Sequence, residues 1–204
     1  MKSATAETGK QRWEREVLEP TLKKAPERPV PFTTISGRPI GRLYTPDDLP
    51  ADGSRPLVVY VHGGGWKSGD KGNRIGDKAR LFTDAGYLFA SVNYRLSPDP
   101  VNLDYPSDRI RFPDHPADVG EALAWLDRNV ASLGGDPRRI VLIGHSAGAH
   151  LVSLVSTDPA YVSRWGMDPA HLLGTVSLDT DAYDLTQRIA EIHANALPLF
   201  YTAF

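Results

Sequence analysis

The chain has 204 residues, of which 41% are hydrophobic and 24% are charged, a composition typical of a globular protein with one core. The net charge of −2 gives no electrostatic reason to expect a nucleic acid or an anionic membrane as partner. Without any cysteine, the chain cannot form disulfides or thiolate metal sites. It has no apolar segment of signal-peptide or membrane-spanning type, so we expect a cytoplasmic protein.

The first fifty residues are polar and rich in proline. Four prolines between positions 20 and 31 argue against a long helix, and the pattern predicts one short helix around residues 11–18. The rest of this part reads as an extended arm that ends in the turn-rich stretch LPADGSRP (49–56). We therefore predict an N-terminal arm over residues 1–50 and an α/β domain over residues 51–204.

Strands and helices alternate from Leu57 onwards. The predicted strands are LVVYV, YLFASVNY, RRIVLIG and LLGTVSLD, and the predicted helices are RIGDKARLFTDAG, ADVGEALAWLDRNVASLGG and AGAHLVSLVST. Strands that are apolar throughout and separated by helices indicate a doubly wound, mostly parallel sheet with helices on both faces. The proline-rich segment 95–116 is predicted to be a long loop, with His115 as one of its residues.

The sequence GHSAG at 144–148 directly follows the apolar strand RRIVLI. A G-x-S-x-G pattern between a buried strand and a helix is the nucleophile elbow, a strained turn that exposes its serine at the end of the strand. Gly144 and Gly148 keep side chains out of the tight turn. The amide of Ala147, at the start of the next helix, faces an oxyanion formed beside Ser146. The motif predicts Ser146 as a nucleophile.

The sequence HGGGW at 62–66 directly follows the strand LVVYV. A run of glycines lets the backbone approach a reacting carbonyl and present N–H groups to it. No G-x-x-x-x-G-K-[ST] pattern is present, so a nucleotide-binding loop is not expected. HGGGW and GHSAG, in this order on two strand ends, indicate acyl-transfer chemistry.

Residues from about 55 to 204 resemble the hormone-sensitive-lipase-like carboxylesterases of the α/β-hydrolase fold. The resemblance is carried by HGGGWKSGDKGNRI, VNYRLSP, FPDHPADVGEALAWL, GGDPRRIVLIGHSAGAH and VSLDTDAYDL. It implies hydrolysis of a small-molecule carboxylic ester, or a related amide, through an acyl-serine intermediate and without a metal or cofactor. It assigns the nucleophile to Ser146, the oxyanion-hole amides to Gly64, Gly65 and Ala147, and motif support to His62, Gly63, Gly144 and Gly148.

The resemblance also implies an acid and a histidine on two further strands, in the order Ser, Asp or Glu, His. The sequence contains no strand for either residue, so we expect the domain to lack the last strands of the fold. His193 is the first candidate for the base, and we expect His150 to be structural and His171 to lie at the opposite end of the sheet. Asp179, Asp181 and Asp184 lie at the correct end, where turn and cap roles are expected.

Residues 13–49, WEREVLEPTLKKAPERPVPFTTISGRPIGRLYTPDDL, resemble the N-terminal arm of the methylmalonyl-CoA mutase large subunit. The mutase barrel and the cobalamin domain have no counterpart here, so neither mutase activity nor a cobalamin site is expected. The alternative is a lead-in strand of an esterase, and a fusion near residues 44–48 combines both interpretations.

Two functions remain open at this point. The first is a serine carboxylesterase whose activity is limited by the missing base, since removing the base of a serine triad costs roughly 10⁴–10⁶ in rate. The second is a non-catalytic α/β-hydrolase relative or fusion fragment that acts as an interaction module, with a mutase as a candidate partner. In either case the LLGTVSLD strand is expected to form an exposed apolar edge that favours self-association.

Overall fold

The structure is a computed structural model that describes residues 7–27, 42–43, 45, 54–98, 106–180, 183–184, 187–188, 190 and 203–204. The chain divides into two compact units, Met1–Asp48 and Leu49–Phe204. Of the residues predicted above for the active site, His193 and Asp181 lie outside the described residues.

The N-terminal unit contains one helical stretch of three consecutive segments. Helix α1 spans Gly9–Trp13, a π-helical segment spans Glu14–Leu18, and α2 spans Glu19–Lys24. A capping box starts the stretch, because the Thr8 hydroxyl accepts from the Gln11 amide and the Gln11 side chain accepts from the Thr8 amide.

The prediction that this helix ends near residue 18 is wrong. The π-helical segment widens the backbone, and the amide of Glu19 donates to the carbonyl of Glu14. Pro20 is the second residue of α2, directly after the π-helical segment, so the N–H that proline lacks falls where the regular hydrogen-bond pattern is already interrupted. The helix ends at Ala25, directly before Pro26, whose ring disfavours helical backbone in the preceding residue.

The second unit is built on a four-stranded sheet. Its strands are β1 (Arg55–Val61), β2 (Leu88–Val92), β3 (Gly135–His145) and β4 (Leu172–Leu178). Their order is β2-β1-β3-β4, and every neighbouring pair is parallel. This arrangement confirms the predicted parallel α/β sheet.

Helices connect the strands and cover both faces of the sheet. They are α3 (Gly76–Asp84), α4 (Asp114–Asn129), α5 (Ala147–Thr157) and the short α6 (Ala160–Ser163). Right-handed crossovers place α3 and α5 on opposite faces, because β2 and β4 lie on opposite sides of the central pair. Helix α4 packs against α5 and α6.

Strand β1 lies at the centre of the core. Its residues from Pro56 to Val61 are all buried, because β1 has a strand on each side and helices above and below. The α4 residues Val119 and Leu123 are fully buried against the sheet. This packing explains why the strand sequences are apolar throughout instead of alternating.

Helix α4 begins earlier than the sequence pattern predicts. It starts at Asp114, with Pro116 in its first turn, where proline is tolerated. His115 is therefore a helical residue, fully buried, and the expectation that it belongs to a loop is wrong. Arg95 ties the segment after β2 to this helix, since its amide and guanidinium both donate to the Asp118 carboxylate.

Strand β4 is the last strand on its side of the described sheet. Two of its apolar side chains, Val176 and Leu178, are 42% and 44% exposed. In the part of the chain that the structure describes, β4 thus presents the apolar edge that the sequence predicts. No helix of this part is long and apolar enough to cross a bilayer.

Candidate active site

Ser146 occupies a strained turn between β3 and α5. Its backbone has φ 55° and ψ −120°, a conformation that residues other than glycine rarely adopt. The amide of Ser146 donates to the carbonyl of Leu178 at 2.8 Å, and its carbonyl accepts from the amide of His150 at 3.1 Å. β4 and α5 thus hold the turn from two sides.

Gly144 and Gly148 are glycines for a steric reason. A Cβ atom on Gly144 would collide with the backbone of Gly148, and one on Gly148 would collide with the carbonyl of Val61. The turn is therefore packed backbone to backbone against the end of β1.

The glycine loop after β1 lies directly against this turn. A Cβ atom on Gly63 would lie 2.7 Å from the carbonyl oxygen of His145 and 3.0 Å from the Cβ of Ser146. The next two residues, Gly64 and Gly65, have φ values of 122° and 59°, which favour glycine. The two sequence motifs, about eighty residues apart, meet at Ser146.

Three backbone amides of the two motifs have no protein acceptor among the described residues. Within the described part of the chain, the amides of Gly64, Gly65 and Ala147 donate no hydrogen bond to a protein acceptor. Ala147 is buried at the first position of α5, where helix amides have no partner within the helix. Such unpaired donors beside a serine can stabilise a negative oxygen.

His62 stabilises the glycine loop through a hydrogen bond and a stacked ring. Its ring stacks on Tyr94 with centroids 4.5 Å apart, and its Nδ1–H donates to the carbonyl of Gly63 at 2.8 Å. The Tyr94 hydroxyl donates to the carbonyl of His62 at 3.1 Å. Burial raises the pKa of Tyr94, so it remains a protonated donor at neutral pH.

Backbone strain is concentrated at this end of the sheet. The residues other than glycine that have positive φ in the described chain are Trp66, Arg74, Ser146 and Asp179. Each lies in a segment that follows the carboxyl end of a strand. Strain of this kind persists where the surrounding structure enforces it, and functional sites are the commonest place.

His150 is buried one turn after Ser146. Its ring packs edge-to-face on Trp66 at 5.4 Å and on Phe204 at 5.8 Å. Burial lowers the pKa of His150 to about 4, so the ring is neutral at pH 7. This aromatic packing gives His150 the structural environment expected from the sequence.

A serine–histidine pair exists, but it does not involve Ser146. The Oγ of Ser97 and the Nε2 of His115 are 2.8 Å apart, and both residues are almost completely buried. Burial lowers the pKa of His115 to about 4. Such burial keeps substrates away from the Ser97 hydroxyl, so the pair is not a catalytic dyad. Its hydrogen bond links the segment after β2 to α4.

His171 lies at the opposite end of the strands from Ser146, as expected. It directly precedes β4, and its Nδ1 lies 2.6 Å from Oδ1 of Asp127 on α4. Asp184 is exposed and accepts a hydrogen bond from the Gln187 amide at 2.9 Å, the turn role predicted for it.

Sequence reasoning missed His145, the residue between Gly144 and Ser146. Its side chain is 48% exposed, and its Nε2 lies 3.5 Å from Oδ2 of Asp179. Two features of the sequence could have indicated this contact: the place of His145 inside the GHSAG motif and the aspartate directly after the β4 strand. Within the described residues, no histidine is hydrogen-bonded to the Ser146 hydroxyl.

An open cleft of about 480 Å³ adjoins the turn. Three of its lining residues touch Ser146, because Gly63 packs on it, His145 precedes it and Leu178 accepts its amide hydrogen bond. The other lining residues are Tyr60, His62, Gly69, Asn73, Arg74 and Lys78. No group of three or more metal-ligating side chains occurs among the described residues.

A parallel, doubly wound sheet with a strained serine between the end of a central strand and a helix defines an α/β-hydrolase. Within this class, the chain matches one family. The BD-FAE family matches residues 43–182, and the chain belongs to this family.

Several curated relatives are named as ester hydrolases. The chain is 32% identical to the probable carboxylic ester hydrolase LipM of Mycobacterium tuberculosis, over 77% of this chain and 35% of the relative. It is 32% identical to the esterase LipQ of the same organism, over 71% of this chain and 32% of the relative. The chain thus spans about a third of the length of these relatives.

Among solved structures, a thermophilic esterase from Thermogutta terrifontis is similar at 30% identity and a TM-score of 0.43, covering 55% of this chain and 37% of that one. The family match begins at residue 43, so the mutase resemblance of residues 13–49 stays a prediction.

Proposed function

We propose that this chain is a serine hydrolase acting on small carboxylic esters, with Ser146 as its nucleophile. The observation that carries the proposal is the contact between Gly63 and Ser146, which joins the glycine loop to the strained turn. The relatives named as carboxylic ester hydrolases agree with this chemistry.

The proposed reaction has two steps. The Oγ of Ser146 attacks the ester carbonyl carbon, and the amides of Gly64, Gly65 and Ala147 donate to the resulting oxyanion. The C–O bond to the leaving alcohol then breaks, the serine proton passes to the alcohol by way of a base, and an acyl-serine remains. A water molecule attacks this ester, releasing the carboxylic acid and restoring the serine. We propose His193 as the base.

The test of this proposal measures release of p-nitrophenol from its acetate and butyrate esters. We expect turnover by the full chain that disappears in Ser146→Ala and persists in Ser163→Ala, a control that removes an exposed hydroxyl on α6. We expect His193→Gln to reduce turnover by roughly 10⁴ or more, down to the level that the oxyanion hole supports. Equal rates for the folded wild-type chain and Ser146→Ala would contradict the proposal.

A second candidate function is a non-catalytic relative that serves as an interaction module. It is favoured by one observation, namely that within the described residues the Ser146 hydroxyl has no histidine partner. In this case residues 1–50 form an arm, residues 51–204 form the domain, and the arm binds a mutase in the cytoplasm. Capture of a mutase that depends on residues 1–50, by a chain without esterase activity, would support this alternative.

A further inference from the structure

The cleft beside Ser146 contains two cations and has no acidic lining residue. They are Arg74, in the loop after the glycine motif, and Lys78, on α3. The segment from position 67 to position 80 has five basic and two acidic residues. The cleft volume of about 480 Å³ is in the range of small-ligand sites.

Lys78 is held at the wall of the cleft by two contacts. Its Nζ lies 5.0 Å from the centroid of the Tyr60 ring and donates to the carbonyl of Arg74 at 2.8 Å. An ammonium group has three N–H donors, so two remain for a ligand. The cation–π contact fixes the position of the charge without neutralising it.

Arg74, the second cation of the cleft, lies at a strained backbone position. Its φ of 50° is unusual for a residue other than glycine and carries a cost in free energy. In the part of the chain that the structure describes, its guanidinium forms no ion pair. Guanidinium groups bind planar carboxylates with two parallel hydrogen bonds.

Two carboxylates near the cleft have other partners. Asp179 faces His145 at 3.5 Å, and Asp70 accepts from the Gly72 amide and from Asn93 at 2.7 and 3.0 Å. Neither of them forms an ion pair with Arg74 or Lys78. The residues that line the cleft therefore include two cations and no carboxylate.

We propose that this cleft binds a carboxylate of the substrate, so that the preferred substrates are monoesters of small dicarboxylic acids. The inference rests on the proposed function, because Ser146 must lie at the other end of the bound ester. Gly63, His145 and Leu178 line the cleft and contact Ser146, so an ester whose carboxylate lies at Arg74 and Lys78 can extend towards the nucleophile.

The kinetic test compares mono-p-nitrophenyl esters of succinate, glutarate and adipate with neutral p-nitrophenyl butyrate. We expect kcat/KM to favour at least one anionic ester by about 3- to 10-fold at low salt, with a preference that shrinks as sodium chloride screens the charges. Arg74→Gln and Lys78→Gln should each reduce this preference by about 3-fold. Arg80→Gln, a cation of α3 outside the cleft lining, should leave the preference intact.

A binding test separates this inference from the proposed function. Calorimetry on the Ser146→Ala chain uses monoethyl glutarate and neutral diethyl glutarate as probes. We expect the anionic probe to bind more tightly, and Arg74→Gln, but not Arg80→Gln, to weaken it. If turnover fails but this pattern appears, the proposed hydrolysis is wrong and carboxylate binding by the cleft stands. Equal binding of both probes, no saturable binding of the anion, or equal effects of the two arginine variants would overturn the inference.

Discussion

At the scale of single residues, the candidate site depends on close backbone contacts. Gly148 lies where any side chain would collide with the carbonyls of Val61 and His62, and Gly63 lies within contact distance of Ser146. The carbonyl of Leu178 fixes the amide of Ser146. These contacts hold the serine in a conformation that its own φ preference opposes.

The substitution Gly148→Ala tests this arrangement. The new methyl group meets backbone atoms that cannot rotate away, so we expect the free energy of unfolding to fall by about 2 kcal/mol or more, together with loss of Ser146 reactivity. Gly174→Ala on β4 is the control, because nothing lies within 4 Å of the added Cβ. Urea titrations measure the stabilities. A Gly148→Ala chain as stable as the control would contradict the packing described here.

Ser146, its glycines and the glycine loop could be predicted because each is encoded by a short contiguous motif. The contacts made by the other residues near Ser146 could not be predicted from the sequence. The contact between His145 and Asp179 depends on how distant segments pack, and so does the cleft that brings Arg74 and Lys78 near His145 and Leu178.

At the scale of secondary-structure elements, the strands could be predicted well because they are buried and uniformly apolar. The errors occur at the prolines. Pro20 was expected to limit the helix, but it follows the π-helical segment within one helical stretch. Pro116 was expected in a loop, but it lies in the first turn of α4, where proline costs little. A sequence pattern shows that a proline is present, whereas its cost depends on which turn of the helix it occupies.

The exposed strand β4 leads to a prediction about association. We expect the wild-type chain to self-associate as its concentration rises, because an apolar strand at the end of the described sheet can pair with another chain. Val176→Lys, at a position that is 42% exposed, should weaken this association. Leu81→Lys on α3 is the control, since Leu81 is 66% exposed but outside the sheet. Sedimentation velocity distinguishes the variants, and a wild-type monomer at every concentration would refute the prediction.

At the scale of the whole domain, two buried histidines link stability to pH. The rings of His115 and His150 have pKa values lowered from 6.5 to about 4 by burial. Protonation therefore favours the unfolded chain. Their contribution is fully present above pH 6.5 and is lost as the pH falls towards 4.

We expect the free energy of unfolding to decrease between pH 6.5 and 4 by up to about 3 kcal/mol for each of these histidines. The described carboxylates with lowered pKa values are Glu7, Glu27, Asp70 and Asp136, and they contribute equally to the wild-type chain and to a histidine variant. In His150→Gln the decrease over this window should be smaller, whatever the stability of the variant at pH 7. Urea titrations at several pH values measure the slope, and an unchanged slope in the variant would contradict the assignment.

The hydrogen bond from Ser146 to Leu178 also constrains the order of folding. β1 pairs with β3, which follows it by more than seventy residues. The hydrogen bond of the strained serine turn forms with β4, whose last residue lies some thirty residues after the serine. Parallel pairings between distant segments form slowly, because the intervening chain must first be ordered. We therefore expect Ser146 to reach its strained backbone conformation during synthesis only after β4 has left the ribosome, so that a nascent chain that has not reached Leu178 has the motif but not the turn.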